Sequence, residues 1–410
     1  MADRRARLGP AFGALWWGSG VSNLGDGMRL AALPLLAVQL TTSPLLIAGV
    51  ATAQYLPWLL FAPVGGALVD RYPRRRTIVM TQAGRGIVEG TLAVLVLAEV
   101  VAIWQLYAVS MLLTAGEILV DPAVGALVPT VVDDTQLDVA NGRISGTEVL
   151  TNEFAGQPLG SALFALARWV PFAFDAISYV GSIVAFRRLP RTDVHIDAQP
   201  NNMRAEIAEG MRWLRHHPVL GPLTLALGCF YFGAVAGFSL LVLLVTDVLD
   251  GGDLSFGLTL AIGAMGAVVG SFAASRLVAR FGRRRLMVVA MGAQAALLAA
   301  TAGAPNLSAL MLISFSAGIP AGMWMPIGRA LQQRLTPNQL LGRVNVTGRI
   351  LTRGSMVAGS LFCGAIAAIA SVRLAMGVGA AIEAIAVVLV WWALRGHDLE
   401  RPRPAVAPYE

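Results

Sequence analysis

Twelve apolar runs of span length dominate the chain, near 13–40, 45–69, 77–98, 103–130, 143–166, 170–187, 219–247, 255–278, 286–303, 307–332, 343–369 and 373–394. A membrane helix needs roughly 20 apolar residues to cross the hydrocarbon core. Backbone amides in lipid must be satisfied within the segment, so a succession of such runs folds as a bundle of spanning helices. The composition agrees: 56% of the 410 residues are hydrophobic and 13% charged, whereas soluble domains are about a quarter charged. The predicted fold class is an all-α membrane protein with twelve transmembrane helices and no sizeable soluble domain.

Six runs precede the longest polar stretch and six follow it. The expected organisation is an N-terminal six-helix half at 1–187, a linker at 188–217, a C-terminal six-helix half at 218–395 and a tail at 396–410. In the linker, Met203, Ile207, Met211 and Leu214 recur at helical spacing, which predicts an amphipathic helix at the membrane surface. The net charge of +7 raises the possibility of a nucleic-acid binder. Every basic residue is Arg, however, and most cluster in alternate connections, which is the footprint of membrane topology. Arg4, Arg5, Arg7, Arg71, Arg74, Arg75, Arg76, Arg187, Arg188, Arg191, Arg280, Arg283, Arg284, Arg285, Arg395, Arg401 and Arg403 mark one side; the other holds Arg168 and Arg373. Both termini and the central loop are therefore expected in the cytoplasm, which requires an even number of spans in each half. The first run has span length and no small-residue cleavage site, so it is expected to remain as a membrane helix rather than a removed signal.

An internal repeat supports the division. Leu68 to Arg76 (LVDRYPRRR) follows the second span and returns as Leu277 to Arg285 (LVARFGRRR) after the eighth. Two such halves are the arrangement of the major facilitator fold. The segment Gly66 to Arg76 (GALVDRYPRRR) resembles that superfamily's signature loop between helices 2 and 3, departing at Pro73, and at Ala279 in the second copy. A narrower resemblance runs through Asn23 to Asp26, Asp121 to Pro122, Leu137 to Asn141, Glu209 to Pro218 and Leu341 to Val344. These segments look like bacterial exporters related to Tap-type drug pumps and enterobactin exporters. That resemblance implies export of drugs or siderophores in exchange for protons, from the inner membrane of a bacterium, by a chain acting as a monomer.

Charges inside apolar spans carry the mechanistic signal, because an ionised group at mid-bilayer costs about 2.5–3.5 kcal/mol even on permissive scales. Asp26 and Arg29 in the first span share a face and form a candidate pair, structural or functional. Glu117 and Asp121 share a face of the fourth span, where two like charges oppose simultaneous ionisation and suit a carboxyl that loads and unloads protons. In the fifth span Glu153 precedes Gly156, Gln157, Pro158, Leu159, Gly160 and Ser161, which resemble the exporter motif GPxxGG with two glycines replaced. Pro158 and its glycines predict a kink and close packing. Glu153 is the first choice for the titrating carboxyl, followed by Asp26, Glu117 and Asp121. Arg85 and Glu89 read as an i,i+4 pair, and they, with Asp175 and Glu383, read as structural charges on flanking helices.

In the signature loop, Gly66, Asp70, Arg71 and Arg74 form a candidate conformational latch, with Asp70 against a helix N-terminus. The alternative is that the arginines only anchor topology against anionic lipid. The C-terminal half offers Tyr231, Phe232, Met323 and Trp324, which with Arg29 are the candidate lining of a substrate cavity. Arg349 and Arg353 balance carboxylates or attract an anionic substrate group. Cys229 and Cys363 lie in apolar runs without metal-ligand spacing and read as packing residues. The four histidines fall in loops or tails, and no phosphate-binding lysine loop exists. The expectation is a transporter rather than an enzyme, with no metal, no cofactor and no nucleic-acid partner. Its partners are a small-molecule substrate, protons and the lipid bilayer, in proton-antiport efflux or dedicated metabolite export.

Overall fold

The computed structural model describes residues 8–189, 203–337 and 339–396, with the side chains of 62–71 and 203–207 excepted. The described residues form helices joined by short turns, without a strand among them. In order these are α1 (Pro10–Leu40), α2 (Pro44–Arg71), α3 (Arg74–Leu97), α4 (Ile103–Val131), α5 (Leu137–Glu148), α6 (Gln157–Leu166) and α7 (Val170–Phe186). After the linker come α8 (Met203–His216), α9 (Leu220–Ser239), α10 (Leu241–Leu243), α11 (Asp253–Phe281), α12 (Arg283–Ala302), α13 (Leu307–Leu335), α14 (Leu341–Ile369) and α15 (Val372–Leu394). A π-helical stretch, Val149–Gly156, joins α5 to α6 into one rod, and a second, Leu244–Val248, continues α9 and α10. Counting each rod once and leaving α8 aside gives twelve passes.

Eight of these are long and apolar enough to cross a membrane by length and composition alone. The others fall short for physical reasons. Polar and charged residues lower the hydropathy of α1 and α3, the α5–α6 rod is interrupted, and α7 is 17 residues long.

Local sequence sets the boundaries. Pro10 and Pro44 occupy first helical positions, where a missing N–H costs nothing. Asn306 and Ser371 cap α13 and α15 through side-chain oxygens that accept from Ala309 N and Leu374 N. The two repeat copies turn differently. Between α11 and α12 Gly282 takes φ 79°, a conformation only glycine adopts cheaply, whereas Pro73 takes φ −55° at the matching position between α2 and α3.

The helices form two compact units, 1–40 with 60–200, and 41–59 with 201–410, so α2 is shared between them. Inside the first unit α1 packs on α7 and on the α5–α6 rod, and α3 on α4 and α7. Inside the second, α9 packs on α15 and α14, and α12 on α13 and α15. The same pairings recur at corresponding positions of each half, as the sequence repeat requires. Phe12, Leu15, Ile78, Leu127 and Phe186 centre the first core; Leu214, Phe230, Met287, Trp324 and Val390 centre the second.

The linker helix α8 does more than lie on a surface. Leu214 is buried in the second core, and Glu209 accepts from Arg343 of α14 at 2.6 Å. Met203 and Ile207 lie outside the described side chains. Of the two cysteines, Cys363 is buried as a packing residue, but Cys229 is exposed.

Candidate functional site

The buried polar groups of the first unit gather around Asp26. A single oxygen of its carboxylate, Oδ1, accepts from Arg85 Nη2 at 2.6 Å, from Tyr179 Oη at 2.8 Å and from Arg29 Nη2 at 3.0 Å. The same two guanidinium nitrogens donate to Glu117 Oε1, at 3.0 Å from Arg29 and 3.1 Å from Arg85. Asp175 closes the other side of Arg29, with Oδ2 3.5 Å from Nε. Gln82 accepts from Arg85 Nη1 and donates to Ser22 and Ser182, tying α3 to α1 and α7. The Arg85 guanidinium also lies 4.5 Å above the Tyr179 ring.

Glycines make room for this. A Cβ on Gly25 would overlap Asp175 and Ser178, and one on Gly116 would overlap the Arg85 side chain where it crosses α4. The rod reaches α1 in the same way: a Cβ on Gly156 or Gly160 would strike the backbone at Gly27 and Met28. Upstream of Pro158, whose ring and missing N–H disrupt a regular turn, the π-helical stretch absorbs the mismatch.

The cluster is dry except at one point. Asp26, Arg29, Arg85 and Asp175 have side chains 0–8% exposed, while Glu117 is 28% exposed. Glu89 on α3 is fully buried, and neither carboxyl oxygen has a hydrogen-bond partner. Four carboxyl groups thus share the interior with two guanidinium groups. Arginine stays ionised in proteins, so full ionisation of the acids would leave two negative charges uncompensated.

The structure pairs Asp26 with Arg29 as their spacing suggested, and adds Glu117 and other partners that the sequence assigned elsewhere. Arg85 does not pair with Glu89; it turns to Asp26, Glu117 and Gln82. Asp175 belongs to the network through Arg29 rather than to a separate structural site. Tyr179 and Gln82 were missed, although each sits a helical turn from a charged residue in an apolar span. Asp121 lies one turn beyond Glu117 and is exposed, and Glu153 is exposed on the π-helical stretch outside the cluster. Arg29, 1% exposed, is part of the ion network instead of a cavity wall.

In the second unit Phe230 packs edge to face on both Tyr231 and Trp324, whose rings meet at a tilt, and Trp324 Nε1 donates to Gln294 Oε1. Trp324 is buried, whereas Tyr231, Phe232 and Met323 keep partial exposure. Phe232 stacks on Phe362 at 5.4 Å. In the signature loop, Arg74 donates to the Ala126 carbonyl of α4. The side chains of Gly66, Asp70 and Arg71 lie outside the described residues.

Residues 8–403 match the model of the transmembrane secretion effector family. The chain belongs to that family, within the major facilitator superfamily. This transporter is similar to Macrolide efflux protein A of Streptococcus pyogenes, 23% identical over 83% of this chain and 85% of that protein. It matches Macrolide efflux protein A of Enterococcus faecalis at 23% identity, over 73% and 94% of the two chains. Among solved structures, the nucleoside transporter NupG superposes with TM-score 0.78 at 9% identity, covering 94% of this chain and 100% of that one. A bacterial homologue of the iron transporter ferroportin gives 0.74 at 20% identity, covering 94% and 99%. At these identities the structural likeness establishes the fold, and the protein is a membrane transporter rather than an enzyme.

Proposed function

We propose that this transporter exports hydrophobic or amphipathic small molecules in exchange for protons, by alternating access. The observation that carries the reading is the carboxyl excess buried in the first unit: Asp26, Glu89, Glu117 and Asp175 against Arg29 and Arg85. Burying an uncompensated carboxylate costs several kcal/mol, so the cluster holds protons instead. A held proton serves as a coupling ion only where water reaches it, and Glu117 is the partly exposed member. Protonation there weakens its hold on Arg29 and Arg85 and shifts their pairing toward Asp26 and Asp175. Since α1, α3, α4 and α7 each contribute a group, the exchange alters how these helices are tied together.

The direction of transport is supported by the efflux named in the Macrolide efflux protein A relatives, and by the packing of the GQPLGS segment against α1. The same reading places the transporter in a bacterial inner membrane with both termini cytoplasmic, working as a monomer. The loop of Gly66, Asp70, Arg71 and Arg74 serves as the latch between access states. Tyr231, Phe232 and Met323 contribute to the surface that meets the substrate.

Inverted membrane vesicles with an acidic interior test the coupling, with a radiolabelled macrolide as probe. The parent protein should accumulate the probe and lose accumulation when the gradient is collapsed. Glu117→Gln should abolish uphill accumulation but preserve exchange of labelled for unlabelled probe, whereas Glu153→Gln should keep gradient dependence. Normal gradient dependence in Glu117→Gln moves the proton site out of the cluster, and a parent indifferent to the gradient ends the antiport reading.

A further inference from the structure

We propose that Arg353 anchors an anionic headgroup of the transported molecule, a carboxylate, sulfonate or phosphate carried on an apolar body. The proposal deepens the export reading by naming a class of substrate, anionic amphiphiles, that the transporter takes besides an amine-bearing macrolide. Arg353 sits near the middle of α14, a helix of 29 residues. A charge at that depth is costly and needs a partner.

The two buried arginines of the first unit have such partners, each within about 3 Å of a carboxylate. Arg353 does not. Its guanidinium carbon lies 5.4 Å from the Tyr55 ring centroid and 5.6 Å from that of Trp58, both on the part of α2 that belongs to the second unit. Its remaining described contact is Nη1 to the Met356 sulfur at 3.7 Å. Arg349, one turn earlier, lies 5.7 Å above the same Trp58. Aromatic faces orient and hold a guanidinium, but they leave its charge and most of its N–H donors unspent.

Acids are scarce in the part of the chain that carries Arg353. From Leu254 to Gly396 the chain contains a single carboxyl side chain, Glu383 of α15, and no ion pair joins it to Arg353 among the described residues. Tyr231 of α9 is a further polar group on this side. It lies within electrostatic reach of both Arg353 and Arg329 of α13, and its ring packs 5.8 Å from Trp324. The result, within the second unit, is a cation set against the partly exposed rings of Tyr55 and Trp58, with Tyr231 of α9 in electrostatic reach and no ion pair among the described residues. A guanidinium fork takes a planar oxyanion in bidentate fashion, and flanking rings take an apolar body. The missing counter-charge is the one the substrate brings.

The experiment uses the full chain in nanodiscs of zwitterionic lipid, with 1-pyrenebutyrate and its methyl ester as probes, read by energy transfer from tryptophan. The parent should bind the acid about 10-fold or more tightly than the ester, the discrimination expected of a charge-assisted hydrogen-bonded pair. Arg353→Gln should erase that preference at an unchanged thermal midpoint, and Arg353→Lys should retain part of it. Equal binding of acid and ester by the parent overturns the proposal without reference to any variant. So does an undiminished preference in folded Arg353→Gln. No gradient enters the measurement, so its failure leaves the antiport reading standing, and loss of antiport leaves this one intact.

Discussion

The contact between Asp26 and Arg85 offers a quantitative test of the buried network. Asp26→Asn keeps the shape of the side chain but removes the charge to which Arg29, Arg85 and Tyr179 all donate. Arg85→Gln leaves four carboxyl groups facing one guanidinium. Removing one partner of a buried ion pair costs about 3–5 kcal/mol, because the other charge stays behind uncompensated. The double substitution leaves three carboxyls and one guanidinium, the same excess as the parent, so it should be less destabilised than the two singles summed. With the pair 2.6 Å apart, a coupling of about 1–3 kcal/mol is expected. Equilibrium unfolding in mixed detergent micelles at neutral pH, followed by circular dichroism, measures all four corners of the cycle. Combining Asp26→Asn with Arg373→Gln is the control, since Arg373 caps the end of α12 in the second unit by donating to the Ala302 and Ala304 carbonyls and shares no partner with the cluster. Costs of Asp26→Asn and Arg85→Gln that add to within about 0.5 kcal/mol would refute the network as drawn.

Two further substitutions probe packing and burial. Gly156→Ala pushes a methyl group into the backbone at Gly27 and Leu24, and should lower stability by about 1–3 kcal/mol; an unchanged thermal midpoint in micelles would show that the rod does not rest on α1. Glu383→Met replaces a carboxyl that is 1% exposed and has one oxygen without a hydrogen-bond partner, and should be neutral or stabilising in the same thermal assay, whereas a clear loss would reveal an ionic partner.

Much of this architecture is written at short range. The apolar runs, the Arg-rich turns and the repeat of 68–76 at 277–285 fix the number and pairing of the helices, because lipid forces each span to satisfy its own backbone. The Asp26 and Arg29 pair was legible for the same reason: residues three apart on a helix are neighbours whatever surrounds them. Arg85 and Glu89 satisfy the same spacing rule and yet do not pair. The carboxylate of Asp26, presented from α1, captures Arg85, and only tertiary packing decides that competition. The surroundings of Glu153 were illegible for a different cause. In a regular helix 153, 156 and 160 share a face, but the π-helical stretch 149–156 breaks that register, so Gly156 and Gly160 are buried against α1 while Glu153 is exposed. Proline predicts a disturbance; it does not predict which side chains the disturbance turns outward.

The repeat also explains why the two halves carry different chemistry on one scaffold. Gly25 of α1 lies against Asp175 of α7, and Gly233 of α9 lies against Glu383 of α15. Glu383 stands as far after Gly233 as Asp175 does after Gly25, and α1 packs on α7 as α9 packs on α15. Each half therefore keeps a glycine that admits a carboxyl from its last helix. What differs is the cation. Near Asp175 stands Arg29, which draws that carboxyl into the network through Asp26 and Glu117 to partial exposure. Around Gly233, α9 offers no charged residue, and no ion pair reaches Glu383 among the described residues. A carboxyl so enclosed has no partner for a charge, which makes it a packing group rather than a member of an ion network. Arginine, not the acid, thus sets the first half's site apart from the second's, and under the proposed antiport it is what ties the acids into one exchangeable network. In the second half the guanidinium of Arg353, without an ion pair among the described residues, stands on α14 beside the rings of Tyr55 and Trp58, and the proposed counter-charge is the cargo's.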